Sequence, residues 1–232
     1  MHKSLLFITA LILLFALSGA VSNESGAVHA LTGLNRIDSI YIALDTGNNP
    51  RPGKEVFAQA MTGFYNLTQD GHTKSNTLSI VDFSLPSTEK RLWVIDLNSG
   101  RILHHSLVAH GRNSGELYAK VFSNKQDSYQ SSLGFYLTGE TYIGKHGLSL
   151  KLHGLEPGIN DLAEARAIVI HSAEYVDEQY AKINGRLGRS WGCPAIPIKQ
   201  HKEIIDLLAG GTCLFIYYPD QHYLSQSRLA GA

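Results

Sequence analysis

The sequence predicts a mainly β domain with short helices, of the α+β class, folded as a sandwich or barrel with a helix at its N-terminal side. Three observations carry this. From residue 78 onward apolar residues recur with a period of two, Gly-containing turn signals separate the runs, and stretches with three- and four-residue steps are short and lie near the two ends of the pattern.

Taken in order, residues 54–67 place Val56, Phe57, Ala60, Met61, Phe64 and Leu67 on one face of a helix. Residues 78–83, 92–97 and 102–108 follow as antiparallel strands, the last two joined by a hairpin turn at Asn98-Ser99-Gly100. Strands are expected at 135–138, 148–152 and 167–170, alternating with Gly-containing turns. Residues 174–183 and 199–208 read as helices. The aromatic and β-branched run 213–218 reads as a closing strand. No repeat, low-complexity tract or linker divides this pattern, so one domain is expected over 41–220. A flexible segment, 21–40, precedes it and a C-terminal tail, 221–232, follows.

Composition narrows the function. With 44% hydrophobic and 17% charged residues in 232, a sizeable core is available. Twenty Lys and Arg against twenty Asp and Glu leave no basic surplus for a phosphate backbone, which argues against nucleic acid as a partner. Two cysteines, Cys193 and Cys213, exclude a disulfide framework and a cysteine-based zinc cluster. Residues 1–20 carry Lys3, an apolar run over 5–17 and the small residues Ser18-Gly19-Ala20, the pattern of a secretory signal peptide. The apolar run falls short of the ~20 residues of a spanning helix, so no integral membrane span is expected after processing. The expected location is across the inner membrane, periplasmic or associated with the cell wall.

The chemistry concentrates late in the chain. Ala167-Ile168-Val169-Ile170 is an apolar run ending in His171 and Ser172, and further on Arg189-Ser190-Trp191-Gly192-Cys193-Pro194 presents a cysteine. A thiol needs a base or a cation beside it to become a useful nucleophile at neutral pH, and a histidine within reach supplies both. Gly192 permits close approach of backbone to substrate, and the amides near Cys193 are candidates to face a developing oxyanion. A buried histidine and a small buried thiol are the competing reading of the same residues.

These residues, with Ser132-Leu133-Gly134-Phe135 and Gly188-Arg189-Ser190 upstream of Gly192-Cys193-Pro194, resemble the L,D-transpeptidase (YkuD-like) catalytic domain. The likeness is closest to the divergent murein L,D-transpeptidase branch, and covers about Tyr41 to Asp220. The resemblance implies an L,D-transpeptidase-like β-sandwich or barrel, with Cys193 as nucleophile and His171 as its base. It implies too that the backbone carbonyl of Ser172 orients the imidazole, and that the Gly192 and Cys193 amides form the oxyanion hole. Two departures stand out. Trp191 occupies the position where most members have a second histidine, and Ala195 and Ile196 replace an Asn or Arg after the cysteine.

The implied reaction is attack by Cys193 on a peptidoglycan tetrapeptide stem, loss of the terminal D-alanine, and transfer of the acyl group to an amine of another stem in a 3-3 crosslink. No cofactor and no metal are implied. Substrate-side candidates are Arg189, Ser190, Trp191, His153, Lys145 and His146. His104 and His105 are adjacent in a strand and point to opposite faces, which argues against one shared metal. An L,D-carboxypeptidase or cysteine peptidase acting on the same bond, and a catalytically silent wall-binding domain, remain as alternatives. The sequence leaves the oligomeric state open.

Overall fold

The computed structural model describes residues 36–231; the expected signal peptide and residues 21–35 lie outside them. Residues 36–43 are helical. Helix α1 (Lys54–Gln69) follows, burying Val56, Phe57, Ala60, Met61, Phe64 and Leu67, the face read from the sequence. It packs on the sheet closely enough that a Cβ at Gly63 would sit 2.1 Å from the Phe135 ring.

Eight strands form one sheet: β1 (Thr77–Asp82), β2 (Leu92–Asp96), β3 (Arg101–Ser106), β4 (Gly134–Gly144), β5 (Gly147–Gly154), β6 (Val169–Ala173), β7 (Ala195–Pro197) and β8 (Cys213–Tyr217). Their order is β3-β2-β1-β8-β4-β5-β6-β7. The pairs β1/β8 and β6/β7 are parallel and the others antiparallel. The two outer strands meet: beyond β3, Ala109 exchanges backbone hydrogen bonds with Ala195 of β7, at 2.8 and 3.3 Å. The sheet is therefore a nearly closed barrel, and closure satisfies backbone groups that an open edge leaves unpaired. Short helices complete it: α2 (Glu178–Asn184), a 3-10 turn (Ile198–Gln200), α3 (His201–Leu208) and α4 (Gln221–Gln226).

Several expectations shift. The strand expected at 167–170 runs from Val169 to Ala173, because Ala167 has φ of 53°, a left-handed conformation that ends a turn. His171 thus lies within the strand and not at its end. The expected 135–138 strand extends to Gly144 through a bulge between Thr138 and Thr141, where Gly139 and Glu140 break the apolar alternation. The helix expected at 174–183 starts at Glu178, capped by the Asp177 carboxylate. Residues 221–232, expected as a tail, include α4. Its Tyr223 and the following Ser227 donate to the buried Glu156 carboxylate, which also accepts the Phe135 N–H at 2.7 Å. His104 and His105 do face apart: His104 reaches Glu203, while His105 stacks on Trp93.

Candidate active site

The site is built on β6 and the turn that enters β7. In the parallel register His171 lies opposite Ala195, and Cys193 sits in the turn two residues before Ala195, near the backbone of Ala167 and Val169 where β6 begins. Its thiol donates to the Ala167 carbonyl at 3.6 Å. Burial pushes the Cys193 thiol upward, opposed by the Val169 N–H, the nearby Arg166 guanidinium and the Cys193 N–H. His171 is held below the ordinary histidine value, first by burial, with the Ser172 carbonyl opposing and a charge on His146 adding to the depression. Both shifts favour the uncharged forms, a thiol and a neutral imidazole.

The tautomer of that imidazole follows from its partner. Nδ1 lies 2.9 Å from the Ser172 carbonyl, which can only accept, so Nδ1 carries the proton and Nε2 keeps its lone pair. The two-residue turn between Gly144 and Gly147 then places His146 against the same ring, with centroids 4.5 Å apart and planes 23° apart. The Ser172 hydroxyl ties this turn down by donating to the His146 carbonyl at 3.5 Å. Lys145, in the same turn, is exposed.

The cysteine turn is rigid. The Ser190 hydroxyl donates to the Cys193 carbonyl at 2.6 Å and accepts the Gly192 N–H at 3.1 Å. The Gly192 amide, expected to face the oxyanion, is bonded to Ser190 here, and the backbone shape of Gly192 is constrained. Its φ is +124°, and a Cβ there would meet the Gln130 carbonyl at 2.8 Å. Ser190 itself is buried and holds the turn from within. Ser131 clamps it from the other side, accepting from Gly111 N–H and donating to the Gly192 carbonyl, each at 3.0 Å.

Of the other substrate-side candidates, Arg189 is committed elsewhere: it pairs with Glu116 at 2.5 Å and donates to the Arg112 and Gly115 carbonyls. His153 pairs with Glu164 at 3.4 Å. On β5, Ser149 lies opposite His171, and His153 is four residues further, about 13 Å along the strand. Trp191 is 68% exposed, with the Tyr129 ring 5.4 Å away. Cys213 is fully buried in β8, separated from β7 by three strands in the sheet order, and both cysteines are free.

Sequence reading missed Arg166. Its guanidinium donates to the Ser123 and Gln130 carbonyls and to the Ser128 and Ser132 hydroxyls, four uncharged acceptors. Its positive charge thus faces Cys193 without a carboxylate of its own among these partners. The signal available is Ser132, in the stretch Ser132-Leu133-Gly134-Phe135, whose hydroxyl anchors this arginine.

A family model, that of the L,D-transpeptidase catalytic domain, matches residues 48–217. No curated protein matches the chain. Among solved structures, an L,D-transpeptidase from Mycobacterium smegmatis is similar at 10% identity and a TM-score of 0.38, over 62% of this chain and 59% of that one. L,D-transpeptidase 3 from Mycobacterium tuberculosis is similar at 11% identity and 0.39, over 62% and 61%. An L,D-transpeptidase from Stackebrandtia nassauensis is similar at 12% identity and 0.37, over 82% and 92%. The chain thus spans about three fifths of the Mycobacterium smegmatis protein. With the family model covering most of the sequence, the chain belongs to the L,D-transpeptidase catalytic domain family.

Proposed function

We propose that this protein is an extracytoplasmic cysteine acyltransferase acting on peptidoglycan tetrapeptide stems. The observation that carries the reading is the His171 imidazole. Its Nδ1–H is fixed on the Ser172 carbonyl, which leaves Nε2 as a base beside the strand whose entry turn holds Cys193.

In the first half-reaction the Cys193 sulfur attacks the carbonyl of the third stem residue. The S–C bond forms, the C–N bond to the terminal D-alanine breaks, and His171 Nε2 carries the thiol proton to the leaving amine. The Cys193 N–H and the Arg166 charge both favour negative charge on the sulfur before attack. In the second half-reaction a side-chain amine of another stem attacks the thioester. A new C–N bond forms, the C–S bond breaks, and the amine proton returns to sulfur through His171. Water in place of the amine yields a trimmed stem, the carboxypeptidase outcome.

The test incubates purified, reduced protein with tetrapeptide stems and reads intact mass together with released D-alanine. The expected result is an acyl adduct on Cys193, one D-alanine per adduct, and neither in Cys193→Ala. A folded wild type that gives no adduct and no D-alanine overturns the proposal. The second product, crosslinked dimer or trimmed monomer, decides between transfer and hydrolysis.

A further inference from the structure

Beside the nucleophile the surface carries an aromatic corner that the reaction does not use. Trp191 is exposed two residues from Cys193, and the Tyr129 ring stands at 51° to it. Two loops bring the rings together, and Gly111 lies between them: a Cβ on Gly111 would be 2.5 Å from the Tyr129 carbonyl and 2.9 Å from Gly192 Cα. Tyr129 holds φ of 54°, uncommon for a bulky residue, while its carbonyl accepts the Asn113 N–H and Arg166 grips both neighbouring residues. The corner is thus preorganised, at a backbone cost, with its apolar surface left open to solvent.

Its rim includes two neutral amides. Asn113 donates through Nδ2 to the Ser128 carbonyl, and Gln130 through Nε2 to the Asn113 carbonyl. Among the described residues neither amide oxygen has a donor, so acceptors border the aromatic faces. Of the cations nearby, Arg189 is paired with Glu116 and Arg166 donates to four uncharged groups, while Arg112, beside Asn113, is exposed and has no ion pair among the described residues. A pyranose ring does fit, offering an apolar C–H face to indole and phenol and O–H and acetamido N–H donors to the rim.

We infer that Trp191 and Tyr129 form a sugar-binding platform that seats a pyranose ring of the glycan strand beside Cys193. This rests on the proposed function for its biological substrate, but the binding itself does not require catalysis. The protein then prefers stems still attached to their sugars over free stem peptides.

Fluorescence tests binding separately from turnover. The chain has two tryptophans, and Trp93 is buried with its indole N–H on the Pro50 carbonyl, so emission changes on binding at the surface report Trp191. Stem-free glycan strands and N-acetylglucosamine tetrasaccharide are expected to shift the emission of wild type and of Cys193→Ala, with no shift in Trp191→Ala. In turnover, the ratio of kcat/KM for disaccharide-tetrapeptide over free tetrapeptide is expected to fall about tenfold in Trp191→Ala, and partly recover in Trp191→Phe. The ratio cancels damage to the cysteine turn. Absence of any sugar-induced shift, or an equal shift with sugar-free stems, overturns the platform. If sugars bind but no stem is acylated, the platform stands and the acyltransferase proposal fails.

Discussion

Two histidines follow similar apolar runs, His110 after Leu107-Val108-Ala109 and His171 after Ile168-Val169-Ile170, and the fold gives them different partners. Both are buried and both are held below the ordinary histidine value, chiefly by burial. They differ in what the ring nitrogens have left. His110 Nδ1 accepts from Arg91 Nη2 at 2.8 Å, so its Nε2–H donates to the Gly115 carbonyl at 3.3 Å. Both nitrogens are spent, and the ring cannot carry a proton between partners. His171 spends only Nδ1. Under the proposed function, burial and periodicity do not separate a base from a strut, and the count of occupied ring nitrogens does.

His110 is nonetheless connected to the site. Arg91, fully buried, lies over the Phe83 ring and donates to the Val108 and Leu85 carbonyls as well as to His110. The His110 carbonyl in turn accepts the Ser190 N–H at 3.0 Å, and the Arg112 N–H reaches the Ser190 carbonyl at 2.7 Å. The pair therefore braces the loop against which the cysteine turn is built.

The comparison breaks most visibly in activity. Removing the base in His171→Ala is expected to slow acylation of Cys193 by about 100- to 10,000-fold, while the variant stays folded. His110→Asn, measured per folded molecule, is expected to lose far less. Single-turnover acylation followed by mass spectrometry checks both. If His110→Asn proves the dead variant and His171→Ala still acylates, the assignment of roles is inverted.

A smaller effect, in stability, runs the other way. His110→Ala orphans a buried guanidinium donor, and about 1–3 kcal/mol of destabilisation is expected for that donor alone. The pH dependence carries the same signature. His110 titrates at about 3 in the fold, against the ordinary 6.5 of the unfolded chain. Between those values the unfolded chain binds a proton that the native ring refuses, so this contribution is intact above pH 6.5 and drains away as pH falls toward 3. The slope it adds is at most about 1.4 kcal/mol per pH unit. Urea denaturation at several pH values, wild type against His110→Asn, isolates it. A variant that loses stability on acidification as steeply as wild type removes His110 from the account.

Much of the fold was legible because alternation is what a half-buried strand imposes on a sequence; β1, β2 and β8 were read nearly to the residue. What escaped depends on partners distant in sequence. Strand β7 is three residues ending in Pro197, too short to show a period, and exists because β6 pairs with it on one side and Ala109 on the other. The ordered segment after Asp220 depends on Glu156, sixty-odd residues earlier in the chain. In the site, Cys193 and His171 were visible because a Gly-Cys pair and an apolar run ending in histidine are local patterns. Arg166 was not, since nothing near it in sequence shows that its charge faces a thiol. The partner of Arg189 was hidden for the same reason, as Glu116 meets it through space alone.

The smallest expected effect sharpens the contrast at His171 itself. His146 covers one face of that ring, and burial is the first cause of its depressed value, with a charge on His146 second. His146→Ala removes both causes in part: solvent reaches the imidazole, and a neighbouring positive charge can no longer form. Each change favours the imidazolium, so the His171 value must rise toward 6.5. Because the reaction needs Nε2 unprotonated, the acid limb of kcat/KM against pH is expected below 6.5 in wild type and to move upward in His146→Ala. Activity is then lost first at mildly acidic pH, while the alkaline plateau changes little. His146→Phe separates the two causes, since it restores the covering ring without the charge; its limb should return toward the wild-type position. An acid limb that stays in place in both variants means that the stack does not tune the base, and His171 owes its depressed value to the strand around it.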